Sequence, residues 1–143
     1  MNTSTMRLIM AAAALVVAAG SASAQTLKAE IPMSFHAAGK VLPAGSYEIR
    51  QLQTAGGAYV VVRSLATYNS VVLPQGVKGD APKAWRADGS PRLAFECLGS
   101  TCSLQRMWNG RDEYAYKFPT PKAHGDIAAR ETKVITLAMV DLH

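Results

Sequence analysis

Between Thr26 and Phe35, apolar and polar residues alternate without a break, and no other feature constrains the fold as much. The apolar positions are Leu27, Ala29, Ile31, Met33 and Phe35. Such a period of two predicts a β-strand with one buried face. Pro32 falls on the polar side, where a residue without an N–H is tolerated at a sheet edge or a bulge.

Short segments with strand character recur along the chain, separated by turn residues rich in glycine and proline. With no regular alternation of helices and strands, they predict an all-β fold, an antiparallel β-sandwich or a small barrel of about eight strands. Trp108 is expected on the same face as Leu104, and a barrel would enclose a cavity lined by Tyr47, Phe95 and Trp108. The predicted strands are 26–35, 46–52, 58–64, 70–73, 92–97, 103–108, 114–118 and 133–140.

The breaks between strands have recognisable turn chemistry. Leu42-Pro43-Ala44-Gly45 predicts a turn, and Asn109-Gly110 is a strong hairpin sequence. The polar stretch 74–91 predicts a long surface loop. For residues 127–132 the sequence is compatible with either a short helix or an irregular segment.

The first 24 residues are typical of a cleavable, helical signal peptide. Arg7 precedes an apolar run from Leu8 to Gly20, and Ala22-Ser23-Ala24 offers small residues for cleavage between Ala24 and Gln25. No second long apolar run follows, so no transmembrane segment is expected after cleavage. We therefore expect one β domain, 25–143, exported to the periplasm or the extracellular space.

Cys97 and Cys102 are the only cysteines of the chain. In an exported protein, a pair separated by a bend with a glycine predicts a hairpin disulfide. A redox-active pair is the alternative, but such pairs ordinarily have the C-x-x-C spacing at the start of a helix.

Charge gives little indication of a nucleic-acid partner. The chain has 15 Lys and Arg against 10 Asp and Glu, a formal net charge of +5. Its densest basic stretch is interleaved with Asp80 and Asp88, which favours a solvated loop over a polyanion site and predicts no nucleic-acid binding. The basic residues of this stretch are Lys78, Lys83, Arg86 and Arg92.

Catalytic and ligand-binding motifs are missing from the sequence. His36, His124 and His143 are isolated, no serine-nucleophile elbow is present, and no phosphate loop or dinucleotide fingerprint occurs. We expect no metal and no cofactor. A secreted hydrolase with dispersed catalytic residues, such as His36, Asp112 and His124, remains the alternative, because catalytic groups need only meet in space.

Trp85 is the best candidate for contact with a ligand or partner. It lies in the polar stretch 74–91, flanked by Lys83 and Arg86, where no strand face is expected to bury it. Trp108, Tyr114 and Tyr116 could form a stacking platform for a planar ligand, but they are in phase with strand interiors and are predicted to lie in the core.

Three motifs together resemble a known family. They are Ile31-Pro32-Met33-Ser34-Phe35, Leu42-Pro43-Ala44-Gly45-Ser46-Tyr47 and Pro91-Arg92-Leu93-Ala94-Phe95, followed by Leu104 and Trp108. Over residues 26–118 the chain is similar to a family of small secreted β-rich proteins, common in acidobacteria and other soil bacteria, with no assigned activity. The resemblance implies a secreted β fold that does not depend on the disulfide, and it assigns no functional residues.

These observations favour an exported, non-enzymatic β domain that serves as a binding or structural module of the cell envelope or extracellular space. Its partner is expected to be a protein, an envelope polymer or a small ligand, and its oligomeric state is left open. The secreted hydrolase is the competing hypothesis.

Overall fold

The computed structural model describes residues 25–120 and 132–142, which form two β-sheets packed face to face. The elements are β1 (Thr26–Ile31), β2 (Phe35–Ala37), β3 (Lys40–Leu42), β4 (Gly45–Thr54), β5 (Gly57–Ser64), β6 (Ser70–Pro74), β7 (Val77–Asp80), α1 (Lys83–Asp88), β8 (Arg92–Leu98), β9 (Thr101–Trp108), β10 (Tyr114–Lys117), β11 (Thr132–Ala138) and β12 (Val140–Asp141).

Sheet 1 has five strands in the order β12-β1-β4-β5-β6. Sheet 2 has the order β11-β8-β9-β10-β7, with β2 beside β9 and β3 beside β2. The β2–β9 pair is parallel, with Phe35 opposite Cys102, and all other pairs of the described strands are antiparallel. The predicted all-β sandwich is confirmed, and in the described residues the sheets do not close into the small barrel that was the alternative.

The strand count exceeds the prediction because short strands flank the long ones. The predicted strand 26–35 ends as β1 at Ile31 and resumes as β2 at Phe35, so Pro32 lies between two strands. Besides β2, the unpredicted strands are β3, β7 and β12.

The core lies between the sheets, and its pattern follows the alternation in the sequence. Leu27 and Ile31 of β1, and Tyr47 and Ile49 of β4, are buried. Phe35 joins the two sheets, because its ring meets that of Tyr47 on sheet 1 at 5.2 Å and that of Phe95 on sheet 2 at 5.4 Å, both edge-to-face. We call this set of side chains, which also includes Leu93, Leu104, Met107 and Phe118, the inner core.

A bulge in β9 changes which residues face the inner core. Leu104 lies opposite Phe95, but Met107, rather than Arg106, lies opposite Leu93, so one extra residue is accommodated between them. Trp108 follows Met107 directly and therefore faces away from the inner core. The prediction that Leu104 and Trp108 share a face is wrong for this reason. The cavity that a barrel would enclose is not formed by these residues, because Tyr47 and Phe95 pack in the inner core, away from Trp108.

The chain passes from sheet 1 to sheet 2 between β6 and β7, at Gly76. A Cβ atom at Gly76 would lie 1.7 Å from the backbone oxygen of Lys117, at the end of β10. Only glycine allows the backbone to approach so closely, so this crossing depends on the residue type.

The predicted disulfide is present. Cys97 and Cys102 are directly opposite each other in the β8–β9 hairpin, and their sulfur atoms are bonded. The bend between them contains Gly99 in the left-handed conformation. The disulfide thus fastens the end of the hairpin that carries the inner core of sheet 2.

The prediction of a surface loop at 74–91 is wrong, because this stretch contains β7 and α1. Helix α1 ends at Asp88, and the next residue, Gly89, has the left-handed conformation and the N–H bond to Trp85 O that are typical of a helix C-terminus. The hairpin predicted at Asn109-Gly110 is confirmed, but its connection is longer than two residues, since residues 109–113 join β9 to β10.

Several predictions fall outside the described residues: the signal peptide 1–24 with Ala24, the segment 127–131, His124 and His143. Thr132 opens β11. Across the described part of the chain, no helix combines the length and the apolar character that crossing a membrane requires.

Candidate functional site

A polar cleft opens between the two sheets, where β4 and β5 of sheet 1 approach β7 and β10 of sheet 2. Its volume is about 290 Å³, at the lower end of ligand sites in proteins. We call it the glutamine cleft. Its lining residues are Gln51, Leu52, Gln53, Ala58, Gln75, Lys78, Asp112 and Tyr116.

Asn109 fixes the loop at one end of the cleft. Its side-chain Nδ2 donates to Gln51 Oε1 and to Asp112 Oδ2, each at 2.9 Å. Its Oδ1 accepts the backbone N–H groups of Arg111 and Asp112, also at 2.9 Å. Because both amide hydrogens and both oxygen lone pairs are used, the buried Asn109 side chain is fully satisfied and holds the loop rigidly against sheet 1.

Tyr116 and Asp112 form the centre of the cleft. The Tyr116 hydroxyl donates to Asp112 Oδ2 at 2.9 Å. Burial raises the pKa of Tyr116 above its ordinary value, and the Asp112 carboxylate raises it further, while bonds from Gln51 and Gln75 act in the opposite direction. The phenol is thus neutral at physiological pH and is surrounded by oriented polar groups.

The remaining polar groups of the cleft are available to a ligand. Gln53, Lys78 and Asp112 are exposed, and Lys78 forms no ion pair with any of the described carboxylates. Amides, a carboxylate and an ammonium group supply both hydrogen-bond donors and acceptors within one small space. Leu52 and Ala58 add apolar surface. This combination suits a small ligand with several hydroxyl or amide groups.

The structure places the predicted contact residues on helix α1. Trp85 is half-buried and packs on the outer face of sheet 2 against Ala81, Trp108 and Ala115. We call these four side chains the outer cluster. Lys83 and Arg86 are exposed on the helix. The expectation that Trp85 has no strand face to bury against is therefore wrong, because the β9 bulge turns Trp108 outward to meet it.

The residues proposed for a hydrolase are not brought together where the structure describes them. His36 lies beside Ser103, near the start of β9, whereas Asp112 follows the end of β9 at Trp108. The strand between Ser103 and Trp108 separates them by roughly 16 Å. Within residues 25–120 and 132–142, no group of three or more His, Cys, Asp or Glu side chains is placed to hold a metal ion.

No protein-family model, no curated protein and no solved structure matches the chain. The resemblance to the secreted soil-bacterial family stays a prediction.

Sequence reasoning missed the glutamine cleft because its residues come from distant segments. Gln51 lies on β4, Gln75 follows β6, and Asp112 lies in the β9–β10 loop. Only the Asn109-Gly110 turn, which lies beside Asp112, was a recognisable indication in the sequence.

Proposed function

We propose that this chain is an exported, non-enzymatic binding domain of the cell envelope or extracellular space, and that the glutamine cleft binds a hydroxyl-rich unit such as a sugar of an envelope polymer. The observation that carries the proposal is the cleft lining, in which three glutamines, a lysine, an aspartate and a tyrosine surround about 290 Å³.

Pre-orientation supports this proposal. The network of Asn109, Asp112 and Tyr116 holds this part of the cleft before a ligand arrives, so these side chains lose little entropy on binding. A sugar hydroxyl both donates and accepts hydrogen bonds, which matches a lining made of amides and ions. Export is supported by the sequence of residues 1–24 and fits the disulfide.

Nuclear magnetic resonance with neutral oligosaccharides tests the cleft. Glucose, mannose and N-acetylglucosamine oligomers are titrated into the protein, and we expect shifts in the side-chain amide signals of Gln51, Gln53 and Gln75. Gln75→Ala and Lys78→Ala should weaken binding roughly tenfold each, as the loss of one hydrogen bond to a ligand predicts.

Gln105→Ala is the matched control, because Gln105 is a strand glutamine whose amide donates to Glu96 at 2.7 Å and does not line the cleft. It should leave binding unchanged. If no saccharide moves the cleft signals, or if Gln105→Ala weakens binding as much as Gln75→Ala, the proposal is wrong.

Export is tested separately by expressing the full chain in a bacterium with an outer membrane and fractionating the cells. We expect the protein outside the cytoplasm, with Gln25 as its first residue by N-terminal sequencing. Recovery from the cytoplasm with Met1 retained would contradict the export part of the proposal.

A further inference from the structure

Two cations lie directly opposite each other on the outer face of sheet 2. Arg106 of β9 and Lys117 of β10 are cross-strand partners, which places their Cβ atoms about 5 Å apart. Like charges at this position are destabilising unless something compensates them. Neither side chain forms an ion pair with a carboxylate of the described residues.

Arg106 is held in place by the outer cluster. Its guanidinium carbon lies 5.9 Å from the centre of the Trp85 ring, within the range of a cation–π contact. The side chain is half-buried, so it has lost part of its hydration and part of its freedom. A fixed, partly dehydrated guanidinium is suited to bind an oxyanion in a defined geometry.

A hollow of about 100 Å³ opens beside the two cations. Gly79 of β7 and Ala115 of β10 are cross-strand partners at the base of the hollow, and their small size leaves it open. A Cβ atom at Gly79 would meet nothing within 4 Å. Asp80 also lines the hollow. Two cations against one carboxylate leave it with a net positive charge.

We propose that this hollow is an anion subsite in which Arg106 and Lys117 together bind a carboxylate or sulfate group of an acidic saccharide. Binding an oxyanion relieves the repulsion between the two cations, and this relief favours the bound state. The hollow and the glutamine cleft lie on opposite faces of the edge strand β7, since Gly79 lines the first and Lys78 the second. A saccharide chain that passes over this edge can reach both.

The assignment of the anion to a saccharide rests on the proposed function, whereas the oxyanion site itself does not. The probe is a short oligogalacturonate, and its fully methyl-esterified form serves as a neutral control with the same backbone. Binding is measured by isothermal titration calorimetry at low and at physiological salt. We expect the acidic oligomer to bind more tightly than the neutral form, and its affinity to fall as salt is added.

Arg106→Gln and Lys117→Gln should each weaken binding of the acidic oligomer about tenfold, because each removes one charge-assisted hydrogen bond. Gly79→Val keeps both charges, fills the hollow, and should weaken binding as well. Circular dichroism confirms that each variant remains folded.

Arg63→Gln is the matched control. Arg63 also lies over an aromatic ring, 5.0 Å from the centre of Tyr68, but its cross-strand partners are Glu48 and Ser70. Equal losses for Arg63→Gln and Arg106→Gln, or equal binding of the acidic and neutral oligomers, would overturn the anion subsite. Displacement by inorganic sulfate at a similar concentration would overturn its assignment to a saccharide.

The two proposals fail independently. Loss of neutral-sugar binding in Gln75→Ala, with unchanged binding of the acidic oligomer in Arg106→Gln, would leave the cleft standing and remove the anion subsite. The reverse pattern would remove the cleft and leave an oxyanion site.

Discussion

The inner core and the outer cluster contain aromatic residues in very different surroundings. In the inner core, Phe35 contacts Tyr47 of sheet 1 and Phe95 of sheet 2, and all three side chains are fully buried. In the outer cluster, Trp108 is buried under Trp85, which itself stays half-exposed beneath the guanidinium of Arg106. The same residue class therefore supports the fold in one place and a surface site in the other.

This contrast shows where the molecule can change. The inner core depends on complementary packing between two sheets, so substitutions there affect the whole sandwich. The outer cluster depends on one six-residue helix with no buried residue of its own, so substitutions there should act locally.

The largest loss of stability is expected from Gly76→Ala, because this substitution should disturb the inner core and the outer cluster together. Gly76→Ala places a Cβ atom 1.7 Å from Lys117 O, at the crossing that joins the sheets. We expect the free energy of unfolding to fall by more than about 4 kcal/mol, measured by urea denaturation. Gly79→Ala, three residues further on, meets nothing within 4 Å and should be close to neutral; equal losses in the two variants would contradict this account.

The next effect concerns the inner core alone. Phe95→Ala removes a fully buried ring and should lower the free energy of unfolding by roughly 3–5 kcal/mol and the melting temperature by about 10 °C or more. Calorimetry should show one cooperative transition shifted to lower temperature. A loss below about 1 kcal/mol would mean that the packing around Phe35 is not what holds the sheets together.

Trp85→Ala should have a smaller and more local effect. The side chain is half-buried, so we expect a loss of about 1–2 kcal/mol. Hydrogen exchange should show faster exchange at Arg86 and Gly89, whose N–H groups are bonded within α1, while the amides of β8 keep their protection. A loss as large as that of Phe95→Ala would show that the two regions unfold as one.

The smallest effect concerns Tyr116 of the glutamine cleft and should leave both the inner core and the outer cluster unchanged. The pKa of Tyr116 is raised in the folded protein, so the folded state retains its proton at pH values where the unfolded chain has lost it. Stability should therefore be complete below the ordinary tyrosine pKa of 10.0 and should fall as pH rises from there through the raised value. Tyr116→Phe should flatten this alkaline decline in urea titrations, and an unchanged slope would contradict the assignment.

The inner core could be predicted from the sequence because a period of two identifies the buried face of each strand. Leu27, Ile31, Tyr47 and Ile49 are all buried as the alternation predicts. The pattern fails at Trp108, since a bulge inserts one residue and no local feature announces it. Helix α1 was missed because it is short and has no side-chain N-cap at Pro82, although Asp88-Gly89 marks its end.

The candidate sites were less predictable than the fold, for a physical reason. The sequence indicates Lys83, Trp85 and Arg86 as contact residues. It does not indicate that Trp85 packs against Arg106 and Trp108, because the β9 bulge decides which side chains of that strand point outward. The glutamine cleft likewise depends on strand register, which brings together residues that are far apart in sequence.

The β9 bulge has a consequence for how such a protein can evolve. Loss of one codon at Gln105 would remove the bulge but leave Arg106 opposite Ala94 and Met107 opposite Leu93, so Trp108 would still face outward. A codon gained between Leu104 and Trp108 with no bulge to absorb it would instead turn every following residue of the strand to the opposite face. The bulge therefore lets β9 gain or lose one residue at Gln105 while Trp108 keeps its place on the outer surface.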